Sequence, residues 1–104
     1  MEQNDNDNIS IDYFLQNKPC DNLFIKMDIE GAEITALHGA ENTFANAKNI
    51  DFSICVYHNG VGNRTDDEIE IPAFLNKHGR KFEFSDGFLM YGWQLRRGVV
   101  RSIK

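Results

Sequence analysis

The fold is constrained most by a nearly continuous apolar run, Leu-Phe-Ile-Lys-Met-Asp-Ile, at residues 23–29. Runs of this kind are typical of a strand that is covered on both faces in a parallel sheet. Beyond Gly31 the apolar residues recur in steps of three and four as far as residue 47, which predicts one helix of about four turns. Gly39 interrupts that helix and suggests that it approaches the sheet closely.

Segments on either side of this strand and helix predict further elements. Ser10 is placed to cap a short helix at residues 11–17, and the polar residues 1–8 predict a disordered lead. Residues 50–57 predict a second strand, which completes a βαβ unit. A second helix follows, and Pro72 either kinks it or marks its first turn.

The last part of the sequence predicts short antiparallel strands. Residues 81–85 and 88–95 flank an Asp-Gly turn signal at residues 86–87, and residues 99–103 predict a short edge strand. The expected fold class is therefore α/β, with a mixed sheet, two helices and a terminal antiparallel hairpin, in one domain over residues 9–104.

Charge and cysteine content exclude several classes of partner. The net charge is −5, from 16 acidic and 11 basic residues, which disfavours nucleic acid. A basic cluster near the C-terminal end is expected to be a solvated strand (Arg96, Arg97, Arg101 and Lys104). No apolar run is long enough for a membrane span, and Cys20 and Cys55 show no disulfide or zinc spacing, so we expect a cytoplasmic protein.

Polar residues follow both predicted strands of the βαβ unit. Asp28, Glu30 and Glu33 come at the end of the first strand, and His58 comes at the end of the second. In open α/β sheets the ligand lies beyond the carboxyl ends of the strands, and neighbouring strands are about 4.8 Å apart. Asp28 or Glu30 is therefore expected to approach His58. The presence of Glu33 needs no functional role, because acidic residues in the first turn of a helix are stabilised by the helix dipole.

The same segment resembles a known family signature. Residues 25–33, Ile-Lys-Met-Asp-Ile-Glu-Gly-Ala-Glu, followed by Ala-Leu-His-Gly-Ala at 36–40, are similar to the K-x-D-x-E-G-x-E…L-x-G-A signature of FkbM-type methyltransferases. The resemblance extends from residue 11 to residue 92. It implies the C-terminal half of a Rossmann-like class I methyltransferase domain, S-adenosylmethionine as cofactor, and a hydroxyl of a sugar or small natural product as methyl acceptor. By this resemblance, Asp28 and Glu30 face the donor methyl group.

The sequence also departs from what the resemblance implies. Methyltransferases of this class bind the cofactor through a glycine-rich turn after their first strand and an acidic residue after their second, and neither segment precedes Ser10. We therefore expect a fragment that lacks the cofactor-binding half and is inactive alone. Its first strand, residues 23–29, would then present an unpaired edge, which predicts a homodimer or a swapped assembly through that edge.

For methyl transfer to a hydroxyl, the resemblance and the strand ends suggest roles for individual residues. His58 is the predicted general base, Asp28 orients His58 or the acceptor, and Glu30 is a polar contact near the sulfonium. Tyr57 and Asn59, which flank His58, are predicted to contact the acceptor.

Three alternatives remain open at this point. The chain can be a non-catalytic interaction module that keeps the fold for its surface. Asp28, Glu30 and His58 can instead hold a divalent metal, since carboxylate and imidazole ligands suit several such ions. Finally, Gly60-Val61-Gly62 imitates part of a dinucleotide fingerprint, although Thr65 replaces its third glycine.

Overall fold

The computed structural model of the chain describes residues 9–19, 21–60 and 66–103. The expectation of a disordered lead at residues 1–8 and most of the glycine motif after residue 60 lie outside these ranges. The helices are α1 (Ile11–Leu15), α2 (Glu33–His38), α3 (Glu41–Asn46) and α4 (Asp67–Lys77). The strands are β1 (Asn22–Met27), β2 (Asn49–Cys55), β3 (Phe82–Phe84), β4 (Leu89–Tyr91), β5 (Gln94–Arg96) and β6 (Val99–Ser102).

The main sheet is mixed and has the strand order β1-β2-β6-β3. β1 and β2 are parallel, whereas β6 is antiparallel to both β2 and β3. Among the described residues β1 pairs with β2 alone, so it forms one edge of the sheet. The expected small α/β fold with a mixed sheet is confirmed, and so is the parallel pairing of the two strands that the βαβ pattern predicted.

The predicted pairing of the last strands is wrong. Residues 81–85 do not pair with residues 88–95, because β3 pairs with β6 instead. The predicted fourth strand is itself a two-stranded hairpin, β4 and β5, which turns at residues 92–93, where Gly92 has a φ of 61°. β6 is not an edge strand either. It lies between β2 and β3, and its Val100 is fully buried in the core.

The predicted four-turn helix is broken at Gly39 into α2 and α3. A Cβ atom at Gly39 would lie 3.0 Å from the Cβ of Ser10, so the close approach is to the start of α1 rather than to the sheet. The Gly39 carbonyl accepts from the backbone N–H of Asp12, whose carboxylate accepts from the backbone N–H groups of Asn42 and Thr43. α1 therefore supplies the N-terminal cap that Ala40 has no side-chain oxygen to provide.

The helix caps follow the sequence in part. Ser10 caps α1 as predicted, because its side chain accepts from the backbone N–H of Tyr13. α4 is capped by Asp66, whose carboxylate accepts from the backbone N–H of Glu68. Pro72 lies inside α4, beyond its first turn. None of the helices in the described part of the chain is both long and apolar enough to span a bilayer.

One hydrophobic core joins the helices to a single face of the sheet. The buried apolar residues come from α2 and α3 (Ile34, Leu37, Phe44), from α4 (Ile71, Phe74, Leu75) and from the strands (Met27, Ile50, Phe52, Ile54, Val100). On the opposite face, Phe24 of β1 is exposed to solvent. The helices thus pack on one face of the sheet, and the carboxyl ends of β1 and β2 lie side by side because the two strands are parallel neighbours.

Candidate functional site

The carboxyl ends of β1 and β2 bring an imidazole and carboxylates together. Asp28 follows β1 directly, and His58 lies three residues after β2. The Nε2 atom of His58 is 3.7 Å from Oδ1 of Asp28 and 3.4 Å from Oε2 of Glu30. The His58 side chain is 3% exposed, whereas the side chains of Asp28 and Glu30 are 53% and 84% exposed. A buried ring therefore faces two carboxylates that lie on the surface.

Glu33 belongs to the same cluster, although the sequence suggested only a helix-dipole role for it. Its side chain is fully buried, and its Oε2 lies 3.0 Å from Nδ1 of His58. The direction of this contact is poor for a hydrogen bond, so its character is electrostatic. The carboxylate also accepts from the backbone N–H groups of Ile29 and Gly31. Glu33 therefore lies on the Nδ1 side of the ring, and Asp28 and Glu30 lie on the Nε2 side.

The backbone between β1 and α2 is bent so that it can enclose Glu33. Glu30 and Gly31 both have positive φ values, 56° and 95°. A non-glycine residue in this region costs about 1 kcal/mol or more, so the surrounding contacts must hold it there. The bend points two N–H groups at the Glu33 carboxylate. Glycine permits the positive φ at position 31, but the burial of Glu33 follows from packing that the sequence does not display.

Asn59 connects the ends of the two strands. Its Nδ2 donates to the carbonyl of Gly31 at 2.8 Å, and its backbone N–H donates to Oδ2 of Asp67 at 3.1 Å. Asp67 is fully buried, and this burial raises its pKa above the usual range, although the hydrogen bonds from Asn59 oppose the change. The sequence suggested Asn59 as a contact of the acceptor, but its amide nitrogen donates a hydrogen bond within the protein.

Aromatic rings cover the other side of His58. The Tyr57 ring lies 4.2 Å from the His58 ring, and Tyr91 of β4 meets His58 edge-on at 5.7 Å and Tyr57 at 5.2 Å. Burial, followed by the negative charges nearby, raises the pKa of Tyr57, so its hydroxyl stays protonated. The same causes raise the pKa of Cys55, which precedes this group, to about 11. Tyr91 was not anticipated, since the predicted strand placed no residue of this hairpin near the site.

Arg96 fixes the loop that carries His58. Arg96 is buried, and its guanidinium lies 3.1 Å from Asp66 and 2.8 Å from Glu68 at the start of α4. It also donates to the carbonyls of Val56 and Asn59. The expectation of a solvated basic cluster is therefore wrong for Arg96, because the sequence gave no sign that two carboxylates of another element would enclose it.

The glycine next to His58 and Asn59 has a packing role. A Cβ at Gly60 would overlap the Arg96 guanidinium and the Gln94 side chain. Close packing explains the first glycine of the Gly60-Val61-Gly62 motif, while the rest of that motif lies outside the described residues.

The cluster also has the composition of a cation site. Asp28, Glu33 and His58 each offer one ligand atom, and these atoms lie within 4.8 Å of one another. Glu33 is already bound by two backbone N–H groups and faces Nδ1, so it is better suited to orient the ring than to bind an ion.

The fold and the site together define an α/β domain whose polar cluster lies beyond the carboxyl ends of two parallel strands. The family model of the methyltransferase FkbM domain matches residues 3–82, which is most of the chain. The chain belongs to the FkbM methyltransferase family, as the resemblance of residues 25–40 suggested. A search of curated proteins and one of solved structures each find no match.

Proposed function

We propose that this chain contributes the acceptor side of an S-adenosylmethionine-dependent methyltransferase site, with a hydroxyl group of a sugar or small natural product as the acceptor. The observation that carries the proposal is the position of His58 between the buried Glu33 and the surface carboxylates Asp28 and Glu30, in a chain of the FkbM family. Methyl transfer to a hydroxyl requires a positioned nucleophile and a group that accepts its proton.

In this proposal His58 is the general base. Glu33 holds Nδ1 on the buried side, so Nε2 is the atom that accepts the proton of the acceptor hydroxyl. Asp28, 3.7 Å from Nε2, orients the hydroxyl or the ring. The hydroxyl reaches Nε2 past Glu30 and Tyr91, whose side chains lie on the surface. Glu33 is a positioning residue, because it acts through His58.

The residues present suit the donor as well. S-adenosylmethionine supplies an electrophilic methyl group on a positively charged sulfonium. Glu30 and Asp28 carry negative charge at the open edge of the cluster, which is complementary to that charge. We infer that they would face the sulfonium, and that the adenosine part would be held by residues outside this chain.

The topology supports the assignment to the C-terminal half of a Rossmann-like class I domain. β1 and β2 are parallel and connected through helices, and both end at the polar cluster. In open α/β sheets ligands bind at that position. The free side of β1 is where the strands of a cofactor-binding half would add to the sheet.

The proposal is tested by substitution in the full-length protein. His58→Ala is expected to lower the turnover for methyl transfer from S-adenosylmethionine by about 100-fold or more, the usual contribution of a general base. His38→Ala is the matched control, because His38 is an exposed histidine on α2. If His58→Ala and Asp28→Ala each leave turnover within a few-fold of wild type, the assignment fails. Calorimetry with S-adenosylmethionine separates it from a non-catalytic module, which would not bind the cofactor.

A divalent cation is the second candidate for the same cluster, since Asp28, Glu33 and His58 come within 4.8 Å of one another. The two candidates predict different results when Mn²⁺ alone is titrated into the protein and followed by calorimetry. Binding that is lost in Asp28→Asn and His58→Ala would favour the cation, because it would show that these side chains are ligands. A His58 nitrogen that binds a cation is not available as a general base. The general-base proposal expects no such binding and no loss of turnover on treatment with a chelator.

We also propose that, when residues 1–104 are studied without a cofactor-binding half, the edge of β1 that is unpaired among the described residues pairs with a second copy of the same segment. Strand edges with unpaired backbone groups recruit other strands, and Phe24 is exposed on this strand. Light scattering of the 104-residue chain at high concentration should show a dimer that Phe24→Glu weakens. Ile69→Glu, at an exposed apolar residue of α4, is the control and should leave the mass unchanged. A strictly monomeric wild-type chain would contradict this proposal.

A further inference from the structure

The β4–β5 hairpin exposes an unusual amount of apolar surface. The Trp93 side chain at its turn is 98% exposed, and the neighbouring side chains Phe88, Met90 and Leu95 are also largely exposed. Met90 and Leu95 are cross-strand partners, and large exposed apolar patches are typical of binding sites. The family match ends at residue 82, so this hairpin is not part of the segment by which the family is recognised.

The base of the hairpin is held firmly. Arg96 on β5 is buried against Asp66 and Glu68, and Arg97 stacks on the rings of Phe84 and Phe88 at 4.8 and 4.7 Å. These contacts fix the hairpin against the loop that carries His58. A platform fixed in this way can bind a ligand without losing much conformational freedom of its own.

The inner side of the hairpin forms a wall of the candidate site. Tyr91 on β4 meets both His58 and Tyr57 edge-on. Trp93 lies two residues further along the chain, beyond the turn glycine. Tyr91 therefore forms part of the wall beside His58, and Trp93 continues the aromatic surface of the hairpin into solvent at its turn.

The charges around the site disfavour an anionic ligand. Asp28, Glu30 and Glu33 place three carboxylates around His58. The two arginines of the hairpin region are engaged elsewhere, because Arg96 is buried in ion pairs and Arg97 is stacked between two rings. An acceptor that carries a phosphate or a carboxylate would be repelled by these three carboxylates, and neither of the two arginines in the described part of the hairpin region is available to offset that repulsion.

We propose that the β4–β5 hairpin is the acceptor-binding element, in which Tyr91 and Trp93 select a ring-bearing acceptor that carries no negative charge. The inference rests on the proposed methyltransferase function and adds to it the residues that determine which acceptor binds. Tyr91 positions the acceptor at His58, and Trp93 covers the part of the acceptor that extends away from the reacting hydroxyl.

The chain reports on this binding directly, because Trp93 is its single tryptophan. The full-length protein is titrated with phenyl β-glucoside and, separately, with phenyl β-glucuronide, which differs by a carboxylate. If the full-length protein contains further tryptophans, they are replaced by Phe. The glucoside is expected to shift the Trp93 emission to shorter wavelength with saturation, as the indole leaves water. The glucuronide should bind roughly fivefold more weakly, because the three carboxylates repel it.

Substitution of Tyr91 tests the role of the hairpin independently of Trp93. Tyr91→Ala is expected to weaken glucoside binding about three- to tenfold, the usual worth of one aromatic contact. Phe14→Ala is the control, since Phe14 is an exposed aromatic residue on α1, and it should leave binding unchanged. Equal binding of the two probes, or unchanged binding in Tyr91→Ala, would overturn the inference. The inference would also be overturned if the glucoside causes no shift of the Trp93 emission. It would likewise be overturned if the emission shifts when the protein alone is concentrated, because self-association would then cover Trp93.

Methyl-transfer assays separate a failure of this inference from a failure of the proposed function. If the wild-type protein binds the glucoside but transfers no methyl group to any acceptor, the proposed function fails and the hairpin remains a ligand site. If the protein is an active methyltransferase and Tyr91→Ala leaves KM unchanged, the hairpin inference fails alone. The expected pattern is a raised KM with kcat little changed in Tyr91→Ala, against a lowered kcat in His58→Ala.

Discussion

Replacement of Arg96 by Met is expected to destabilise the protein strongly, because the methionine keeps the aliphatic volume and removes every polar contact of the guanidinium. The carbonyls of Val56 and Asn59 would lose their donor, at a cost of about 1 kcal/mol each. Asp66 and Glu68 would also lose their cation, but they are partly exposed and can be rehydrated, so the ion pairs add about 1 kcal/mol more. The expected loss is therefore about 3 kcal/mol.

Arg101→Met provides the matched control for this measurement. Arg101 also lies on a strand and pairs with a carboxylate, Glu83, at 2.9 Å, but both side chains are about half exposed. Exposed pairs of this kind are worth about 0.2–1 kcal/mol. Urea unfolding followed by far-ultraviolet circular dichroism is the suitable assay, since Trp93 is exposed already in the folded state.

With a dependence of roughly 1.5 kcal/mol per molar urea, Arg96→Met should lower the midpoint by about 2 M and Arg101→Met by less than about 0.7 M. Equal shifts in the two variants would show that burial of Arg96 does not govern the stability of this region. A loss below about 1 kcal/mol in Arg96→Met would refute the reasoning in the same way.

Three further outcomes are expected. Gly60→Ala should lower the free energy of unfolding by more than 1 kcal/mol, as overpacking usually does, whereas Gly98→Ala, whose new methyl would meet only ordinary contacts, should be nearly neutral by urea unfolding. Burial raises the pKa of Asp67 in the folded protein. Its contribution to stability is therefore present at low pH and declines as pH rises through the folded-state pKa. Asp67→Asn should accordingly become more stable relative to wild type as pH rises from about 4 towards neutrality. Cys55, with its pKa raised to about 11, should be alkylated by iodoacetamide much more slowly at pH 8 in the folded than in the urea-unfolded protein, measured by peptide mass spectrometry.

The parts of the fold that the sequence predicted are those encoded by local patterns. The apolar run at residues 23–29 and the helical spacing after it were sufficient for the parallel pairing of β1 with β2. Ser10 was sufficient for the cap of α1. In each case the residues that determine the element lie next to one another in the sequence.

The parts that the sequence did not predict depend on partners far away in the chain. The Asp-Gly signal at residues 86–87 suggested a hairpin between its flanking segments, but β3 pairs with β6 instead. Similarly, Gly39 indicated a close approach but not the partner, which is Ser10. Turn signals report local backbone freedom and carry no information about which strand will pair across the sheet.

The residues of the candidate site also fall into those that the sequence predicted and those that it did not. The rule that ligands lie at the carboxyl ends of parallel strands was sufficient to bring Asp28, Glu30 and His58 together. Glu33 was assigned to the helix dipole, because acidic residues in a first turn usually need no other explanation. Its burial beside Nδ1 of His58 depends on the left-handed bend at residues 30–31, and Tyr91 reaches the site through a hairpin that the pattern of residues 88–95 did not reveal.

The insertion of β6 between β2 and β3 has a consequence for how the chain folds during its synthesis. Residues 49–55 and 82–84 leave the ribosome before residues 99–102, yet they are joined in the sheet only through those later residues. Until β6 has emerged, β3 has no strand to pair with and the nascent sheet ends at β2. Assembly is thus postponed to the last step of translation of this segment, and a nascent chain stalled before residue 99 would expose two strand edges to chaperones or to aggregation.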